Sequence, residues 1–320
     1  MFSLAYTFSL LAIVFLILKI YTKVKTSWCK SKVCLIGKTV IVTGANTGIG
    51  YEASLEFAKR GARVILACRN EDKANHARDQ IVKETENENI VVKLVNMASL
   101  SSVRKFAENI LQTEERLDIL VNNAGVGALR NKVTEDGLQV LMQVNYFGPV
   151  LLTILLIDLL KKSSPSRIIN VSSVAASRSK LTQGNLNEFG GPFLCYCNSK
   201  LCNILFTMKL AKLLKTTNVS VFSLHPGVIY TQIFNSLQGI SSIIVGYFAK
   251  YFFKTPEEGA QTIIHTALEQ GIEVHSGKHF EECAITSTYG TAKDSILMDS
   301  IWNETMELLK CGEIANNLVS

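Results

Sequence analysis

From Lys38 onward, short runs of β-branched residues alternate with stretches whose apolar residues recur at helical spacing. This alternation is typical of a parallel sheet that is covered by helices. The pattern predicts an α/β fold with strands at Thr39–Thr43, Arg63–Cys68, Ile90–Val95, Ile119–Asn122, Arg167–Val171, Val219–Leu224 and Lys278–Phe280. It predicts helices at Ile49–Arg60, Asp72–Glu84, Ser99–Gln112, Glu135–Lys161, Tyr196–Leu214 and Pro256–Glu269. Because no internal repeat or Pro/Gly-rich linker interrupts the alternation, we expect a single domain.

The distribution of charge excludes one class of partner. Residues 1–51 contain no Asp or Glu, and their lysines account for the whole formal charge of +6. These lysines are Lys19, Lys23, Lys25, Lys30, Lys32 and Lys38. The rest of the chain is electrically balanced, whereas a nucleic-acid-binding domain presents a basic face. We therefore expect no nucleic-acid partner.

The cysteines and histidines indicate neither a disulfide framework nor a metal centre. The 8 cysteines show no paired spacing, and Cys195 and Cys197 are too close together for a usual disulfide. Free thiols in a reducing compartment are the interpretation that we favour. His275 and His279 stand near two glutamates, but no further ligand follows at a recognisable spacing. We therefore expect no metal site.

The first 18 residues carry no charge and are rich in Leu, Ile, Val and Phe. A helix of that length spans about 27 Å, close to the ~30 Å hydrocarbon core of a bilayer. The extreme N-terminus lacks Lys and Arg, which argues against a cleaved signal peptide. We expect a membrane-anchor segment at 1–20, a basic linker at 21–36 and a globular domain at 37–320. Lysine-rich flanks stay in the cytosol, which places the domain there. Whether the segment spans the bilayer or lies in its interface is left open.

A glycine-rich turn, Thr-Gly-Ala-Asn-Thr-Gly-Ile-Gly at 43–50, joins the first predicted strand to the first predicted helix. Glycine lets the backbone approach a pyrophosphate, and a helix N-terminus offers free N–H groups and the positive end of a dipole. The Gly-x-x-x-Gly-x-Gly spacing differs from the commoner dinucleotide fingerprint, but the strand–turn–helix context is the same. We predict dinucleotide contacts from Gly44, Asn46, Thr47, Gly48, Ile49 and Gly50.

The end of the second predicted strand indicates which dinucleotide is preferred. Enzymes that prefer NAD place an acid there to bond the ribose diol. The sequence Ala67-Cys68-Arg69 has no carboxylate, and the Arg69 guanidinium can pair with a 2′-phosphate. We therefore predict NADP(H) in preference to NAD(H). A solvated arginine without a ligand is the alternative.

Tyr196 and Lys200 lie four residues apart in a predicted helix, so their side chains project from the same face. A free phenol has a pKa near 10, and a neighbouring cation favours the phenolate. We expect Lys200 to lower the pKa of Tyr196, so that the tyrosine exchanges protons at neutral pH. This spacing is common on exposed helices, and its weight comes from the motifs that precede it.

In this order, the motifs resemble those of the short-chain dehydrogenase/reductase family. The resemblance covers about residues 36–285 and rests on the glycine-rich turn, Asn122-Asn123-Ala124-Gly125, Ser173, Tyr196-x-x-x-Lys200 and Pro226-Gly227. It implies a single Rossmann-like domain with a doubly wound parallel sheet of about seven strands. The apolar N-terminus, Ala67-Cys68-Arg69-Asn70 and His225-Pro226-Gly227 are similar to the membrane-anchored retinol dehydrogenase/retinal reductase branch.

The resemblance also implies roles for individual residues. The implied catalytic set is Asn145, Ser173, Tyr196 and Lys200. In this set Asn145 helps to hold a relay water, Ser173 and Tyr196 contact the substrate, and Lys200 bonds the nicotinamide ribose. Ser172 is the competing choice for the serine. Further cofactor contacts are implied for Asn96, Asn123, Ala124, Gly125, Tyr196, Lys200, Pro226, Gly227, Val228 and Thr231. Relatives usually carry Asp where Asn96 stands, so we expect a modest effect on affinity.

These expectations describe an NADP(H)-dependent oxidoreductase of a lipophilic alcohol/carbonyl pair, retinol/retinal in the first instance, working in the reductive direction. A steroid or lipid-aldehyde reductase and a non-catalytic NADP(H)-binding scaffold are the alternatives. The apolar stretch at 240–253 is either buried core or a lid that touches the bilayer, and we expect the loop at 178–194 to set substrate shape. We expect the endoplasmic reticulum membrane, with lipid droplet or mitochondrial membrane as alternatives, and the oligomeric state is left open.

Overall fold

The computed structural model describes residues 26–127, 132–229 and 253–313. The predicted anchor at 1–20, the predicted cofactor residue Thr231 and nearly all of the apolar stretch at 240–253 lie outside these ranges. Within them, no helix combines the length and the apolar character that crossing a membrane requires. The division of the chain at residues 20 and 36 stays a prediction.

The described strands form one sheet at the centre of the molecule. The strands are β1 Thr39–Thr43, β2 Arg63–Cys68, β3 Ile90–Leu94, β4 Ile119–Asn122, β5 Ser166–Val171, β6 Val219–His225, β7 His279–Glu281 and β8 Ala284–Thr286. Their order across the sheet is β3-β2-β1-β4-β5-β6-β7-β8, and neighbours from β3 to β7 run parallel. Every strand expected from the sequence is present, with its ends within one residue of those predicted.

The expected count of about seven strands needs a correction, because β8 adds an antiparallel edge. Glu281 pairs with Ala284, so Glu282 and Cys283 form a two-residue turn, and both have positive φ (50° and 56°). Such turns suit the twist of a hairpin, but they usually contain Gly or Asn. Because neither Glu282 nor Cys283 is a turn signal, the hairpin could not be predicted from the sequence.

Helices cover both faces of the sheet. They are α1 Gly48–Lys59, α2 Glu71–Thr85, α3 Leu100–Thr113, the broken helix α4, α5 Pro192–Leu213, α6 Pro256–Leu268 and α7 Ser295–Leu308. Helices α1, α2 and α6 pack over Val40, Val42 and Phe222, and the other four pack over alternate residues such as Ile41 and Leu120. Since side chains alternate between the faces of a strand, both faces are buried, and the central strands are apolar throughout.

Helix α4 corrects the prediction of one continuous helix at Glu135–Lys161. It consists of Val140–Met142, a π-helical turn at Gln143–Phe147, Gly148–Leu155 and Ile157–Lys162. Pro149 has no N–H for the carbonyl of Asn145, four residues earlier, which breaks the regular hydrogen-bond ladder. The N–H of Gly148 instead reaches back five residues to the carbonyl of Gln143. Short π-helical turns of this kind are frequent at functional sites.

The sequence did not predict α7. Its Trp302 stacks on Phe206 of α5, with ring centroids 6.0 Å apart. The hydroxyl of its Thr305 lies 2.8 Å from the hydroxyl of Tyr146 on α4. The helix therefore closes the core beside the helix that contains Tyr196 and Lys200.

The chain reverses its direction of growth across the sheet at β1, which pairs with β2 on one side and β4 on the other. In an open α/β sheet, ligands bind outside the carboxyl ends of the strands at such a reversal. The predicted site residues follow these ends: the 43–50 turn after β1, Asn123 after β4, Ser173 after β5 and Pro226 after β6.

Candidate active site

The turn at 43–50 has the geometry of a phosphate-binding turn. Gly44 and Gly48 have φ of 67° and 61°. A Cβ on Gly50 would lie 2.4 Å from Asn123 Nδ2 and 2.5 Å from Gly44 O, so a larger residue would push α1 away from the strand ends. Thr47 makes no side-chain capping bond, and the first turn of α1 contains no acid. The N–H groups of this turn therefore stay available to an anion.

Polar side chains join the end of β1 to the ends of β4 and β5. The Thr43 hydroxyl accepts hydrogen bonds from the N–H groups of Asn123 and Ala124, each at 2.9 Å. Asn123 Nδ2 donates to the Thr43 carbonyl at 2.8 Å. Deeper in the sheet, Asn122 Nδ2 donates to Asn170 Oδ1 at 2.9 Å. The Asn122–Gly125 run therefore braces the central strands, and its last residues lie at the rim of the cleft.

Arg69 and Asn96 follow β2 and β3. Arg69 is exposed and makes no ion pair within the described ranges. Asn96 Oδ1 accepts the N–H of Ala98 at 3.1 Å, which leaves the amide nitrogen as the group that can donate to a ligand. The end of β2 is where folds of this kind recognise the adenosine ribose. Among the described residues, Arg69 is thus a cation without an ion-pair partner at that position.

The two serines after β5 have different surroundings. Ser172 is buried, and its hydroxyl donates to the carbonyl of Lys200 at 2.6 Å, which ties β5 to α5. Ser173 accepts the N–H of Ala175 at 3.2 Å, and its hydroxyl lies near enough to Tyr196 to lower the pKa of the phenol. It is therefore Ser173 that meets the phenol, while the hydroxyl of Ser172 is engaged elsewhere.

Lys200 is buried beside Tyr196 on α5. Its Nζ lies 5.6 Å from the centroid of the Tyr196 ring and donates to the carbonyl of Val171 at 3.0 Å. Within the described part of the chain, no carboxylate pairs with this ammonium. Burial lowers the pKa of Lys200 to about 8. The folded protein therefore disfavours the positive charge of Lys200.

The expectation that Lys200 lowers the pKa of Tyr196 is wrong for the protein alone. Burial raises the pKa of the phenol, and the nearby Ser173 hydroxyl offsets only part of that effect. The physical reason is that the phenolate would lose its hydration, while the Lys200 ammonium bonds a backbone carbonyl. At neutral pH Tyr196 keeps its proton, which is the form that a general acid needs.

Asn145 lies in the π-helical turn of α4. Its side chain accepts the N–H of Val126 at 2.8 Å and donates to the carbonyl of the same residue at 2.9 Å. A Cβ on Gly125 would lie 3.5 Å from both Asn145 Oδ1 and Lys200 Nζ. The structure therefore brings Asn145, Lys200 and the Asn122–Gly125 run together at one place.

Asn203 is a residue to which the sequence analysis gave no role. Its Nδ2 donates to the carbonyl of Asn145 at 3.1 Å and to the carbonyl of Val171 at 3.3 Å. The first carbonyl is the one that Pro149 leaves without a helical donor, and the second also accepts from Lys200. The spacing of Tyr196, Lys200 and Asn203 along one helix face was the signal that could have indicated it.

The loop after β6 completes this edge of the sheet. Pro226 is buried, Val228 is exposed, and Gly227 has φ of 89°. His225, just before the loop, is buried, and this burial lowers its pKa to about 4. It is thus neutral at physiological pH. These groups complete an edge with a glycine-rich turn, a protonated phenol, a hydroxyl beside it and a buried ammonium.

The comparisons with known proteins agree with this constellation. Residues 38–239 match the family described as short chain dehydrogenase, and the chain belongs to that family. It is 41% identical to retinol dehydrogenase 11 of Homo sapiens over 285 residues, 88% of each chain, which places it in the retinol dehydrogenase branch. It is also 41% identical to retinol dehydrogenase 12 of Homo sapiens, over 88% of this chain and 89% of that protein.

A solved structure of a protein from Mycobacterium Paratuberculosis matches with a TM-score of 0.71 and 26% identity, over 89% of this chain and 98% of that one. Together with the family match, this confirms the single Rossmann-like domain. The chain is an oxidoreductase, as the motifs predicted.

We expect Asn203→Leu to lower kcat about tenfold or more and the free energy of unfolding by about 1–3 kcal/mol, because it removes the side-chain donor from the buried carbonyl of Asn145 and one of the two from the carbonyl of Val171. Asn87→Leu is the matched control, because Asn87 Nδ2 also bridges two backbone carbonyls, of Ala58 and Ala62, but away from the site. Thermal unfolding and steady-state kinetics of both variants separate the two effects. If both variants lost stability and both kept full kcat, Asn203 would have a structural role only.

Proposed function

We propose that this protein is an NADP(H)-dependent oxidoreductase that reduces a lipophilic carbonyl, with retinal as the expected substrate and retinol as the product. The observation on which the proposal depends is the meeting of Ser173, Tyr196 and Lys200 beside the 43–50 turn. A scaffold that only bound the dinucleotide would have no need for a phenol and a hydroxyl side by side in the cleft.

Each side chain has a distinct task in the proposed reaction. Ser173 donates a hydrogen bond to the substrate carbonyl oxygen and so polarises the carbonyl. Tyr196 gives its proton to the developing alkoxide. Lys200 bonds the nicotinamide ribose, while Asn145 and Asn203 fix the helix turn next to it. The bound dinucleotide would supply the hydride.

The residues around the turn fit a dinucleotide that bears a 2′-phosphate. The first turn of α1 presents free N–H groups, and the residue directly after β2 is Arg69 rather than an acid. Arg69 is exposed there without a partner in the described ranges. A guanidinium can hold a phosphate through two parallel hydrogen bonds. These features support NADP(H) over NAD(H).

We expect Arg69→Ala to raise the Kd of NADPH about tenfold to a hundredfold, because a charge-assisted bond of 1.5–3 kcal/mol is lost. The Kd of NADH should stay unchanged, since NADH has no 2′-phosphate. Fluorescence titration with both nucleotides measures this, and Arg78→Ala on the outer face of α2 serves as the control. Equal affinity of the wild-type protein for NADPH and NADH would contradict the assignment.

The surroundings of the catalytic side chains support a lipophilic substrate. Val174 follows Ser173, Phe193 precedes Tyr196 by one helical turn, and Val228 follows Gly227. Their exposed fractions are 45%, 59% and 47%. Large apolar side chains left exposed around a polar site are typical of a surface that a ligand covers. This apolar rim suits an isoprenoid or sterol chain better than a sugar or an acid.

The state of the phenol is compatible with the reductive direction. Because burial keeps Tyr196 protonated at neutral pH, the protein starts with the acid form that reduction consumes. The net direction depends on the ratio of NADPH to NADP⁺, and a dinucleotide pool kept mostly as NADPH favours reduction.

The experiment that tests the proposal follows NADPH absorbance with retinal, a steroid ketone and a short aliphatic aldehyde at equal concentrations. We expect turnover with retinal at a kcat/KM well above that for the short aldehyde. Preference for the steroid would favour the alternative of a steroid reductase. Binding of NADPH without turnover of any carbonyl in the panel would favour the scaffold.

The membrane attachment is part of the same proposal. The apolar, uncharged N-terminal segment and the lysines that follow it support an anchor at 1–20 with the catalytic domain on the cytosolic side, at the endoplasmic reticulum. A lipophilic alcohol or aldehyde partitions into the bilayer, so an anchored enzyme meets its substrate there. Partition of the full chain and of a variant that starts at residue 26 between membrane and soluble fractions tests the anchor.

A further inference from the structure

The carboxylate of Glu282 joins two distant parts of the chain. Its Oε1 forms an ion pair with Lys254 Nζ, and its Oε2 accepts the N–H of Ser27 at 3.1 Å. The side chains of Lys254 and Glu282 are only 12% and 29% exposed. A pair shielded in this way is screened less by water and salt than a surface pair, so its geometry is held more firmly.

Lys254 lies against the loop that follows β6. Its N–H donates to the carbonyl of Val228 at 2.9 Å, and it forms a parallel bridge with Ile229. A Cβ on Gly227 would lie 2.6 Å from Lys254 Cδ and 3.2 Å from Lys254 Nζ. The lysine stem therefore packs directly on the Gly227 backbone, and the loop cannot shift toward it.

Glu282 is itself fixed by the hairpin between β7 and β8. It is the first residue of the turn in which both residues have positive φ. The second turn residue, Cys283, directs its thiol to the carbonyl of Ser27 at 3.7 Å. Both backbone polar groups of Ser27 therefore bind this turn: its N–H contacts Glu282 and its carbonyl contacts Cys283. Two residues further along, the N–H of Cys29 donates to Gln261 Oε1 at 3.1 Å.

We propose that Lys254 and Glu282 form a positioning pair for the loop Pro226–Val228, and that through Glu282 the seating of the chain at Ser27 affects cofactor affinity. The contacts run without a gap from Ser27 to Glu282, to Lys254 and to Gly227. The inference rests on the proposed function, because that function assigns this loop to the nicotinamide end of the cofactor. Neither residue touches the reacting atoms.

The test compares NADPH affinity with stability in the full-length protein in detergent micelles. Glu282→Gln, Lys254→Met and the double variant are titrated with NADPH by fluorescence, and each is also melted. Glu273→Gln is the matched control, because Glu273 pairs with Arg167, whose side chain is 11% exposed, at the opposite end of β5. Ser27→Pro removes the N–H that reaches Glu282, and Ser27→Ala keeps it.

We expect each single variant at the pair to raise the Kd of NADPH about tenfold, the size typical of coupled sites. The Kd of NADPH for the double variant should be no higher than the higher of the two single-variant values, because the two residues act as one unit. Glu273→Gln should lower the melting temperature and leave the Kd unchanged. Ser27→Pro should raise the Kd and Ser27→Ala should not, and this comparison decides the question if Lys254→Met is unstable.

The inference fails if Glu282→Gln and Glu273→Gln lower the melting temperature alike and neither changes the Kd. It also fails if the effects of the single variants multiply in the double variant. A wild-type protein that turned over retinal with NADPH while all variants kept its affinity would leave the proposed function standing and refute the positioning pair. A wild-type protein that did not bind NADPH would overturn both.

Discussion

Tyr196→Phe should lower kcat for carbonyl reduction by about 10²–10⁴-fold, the usual contribution of a general acid, while the Kd of NADPH changes less than about twofold. The change removes one oxygen from a half-buried ring and keeps the ring itself. Burial raises the pKa of the phenol, so in the native protein this oxygen brings a proton to the cleft. The variant leaves Ser173 to polarise a substrate carbonyl to which nothing then gives a proton.

Single-turnover absorbance of NADPH measures the chemical step, and fluorescence titration measures binding of the nucleotide. Tyr289→Phe is a suitable control, because Tyr289 is also half-buried but packs against His279, at a ring distance of 6.0 Å. A Tyr196→Phe enzyme with more than about a tenth of wild-type kcat would show that another group supplies the proton.

The ends of the strands could be predicted closely because each strand is indicated by a local run of residues in the sequence. A parallel strand covered on both faces reads as an uninterrupted apolar run, and β1, β2 and β4 have the predicted ends. The sequence of helix α7 contains no comparably clear pattern. Its position depends on the stacking of Trp302 on Phe206, which belongs to a helix distant in the sequence. The break in α4 was readable in principle, since Pro149 is in the sequence, but a proline near a helix start is otherwise ordinary.

The same distinction applies to the site: features that depend on local sequence could be predicted, and features that depend on long-range contacts could not. The 43–50 turn and the Tyr196–Lys200 pair depend on short-range spacing, and the structure places both at one edge of the sheet. The state of the phenol was misjudged because burial is a property of the packed molecule and outweighs the charge four residues away. Glu282 and Ser27 stand 255 positions apart, and no sequence pattern relates them.

Lys200→Met should inactivate the enzyme and at the same time stabilise the fold. The pKa of Lys200 falls from 10.5 to about 8 on burial, which corresponds to roughly 3 kcal/mol of destabilisation when the side chain is charged in both states. Methionine keeps the straight apolar stem without the charge. The hydrogen bond to the Val171 carbonyl is lost, so we expect a net gain of about 2 kcal/mol in the free energy of unfolding at pH 7.

The pH dependence of that gain identifies its cause. Below about pH 8 the ammonium is charged in the folded and the unfolded chain, so the full destabilisation is present in the wild-type protein. As the pH rises toward 10.5 the folded protein loses this proton first, the wild-type protein gains stability, and its difference from Lys200→Met shrinks. Lys209→Met on the same helix is the control, because Lys209 pairs with Asp299 near the surface. We expect it to change the free energy of unfolding by less than about 1 kcal/mol. Denaturant unfolding at pH 7 and pH 10 measures all three proteins. A Lys200→Met variant no more stable than wild type at pH 7 would mean that the buried ammonium has a partner that offsets its burial, and the fold would then not be strained to keep a charge at the site.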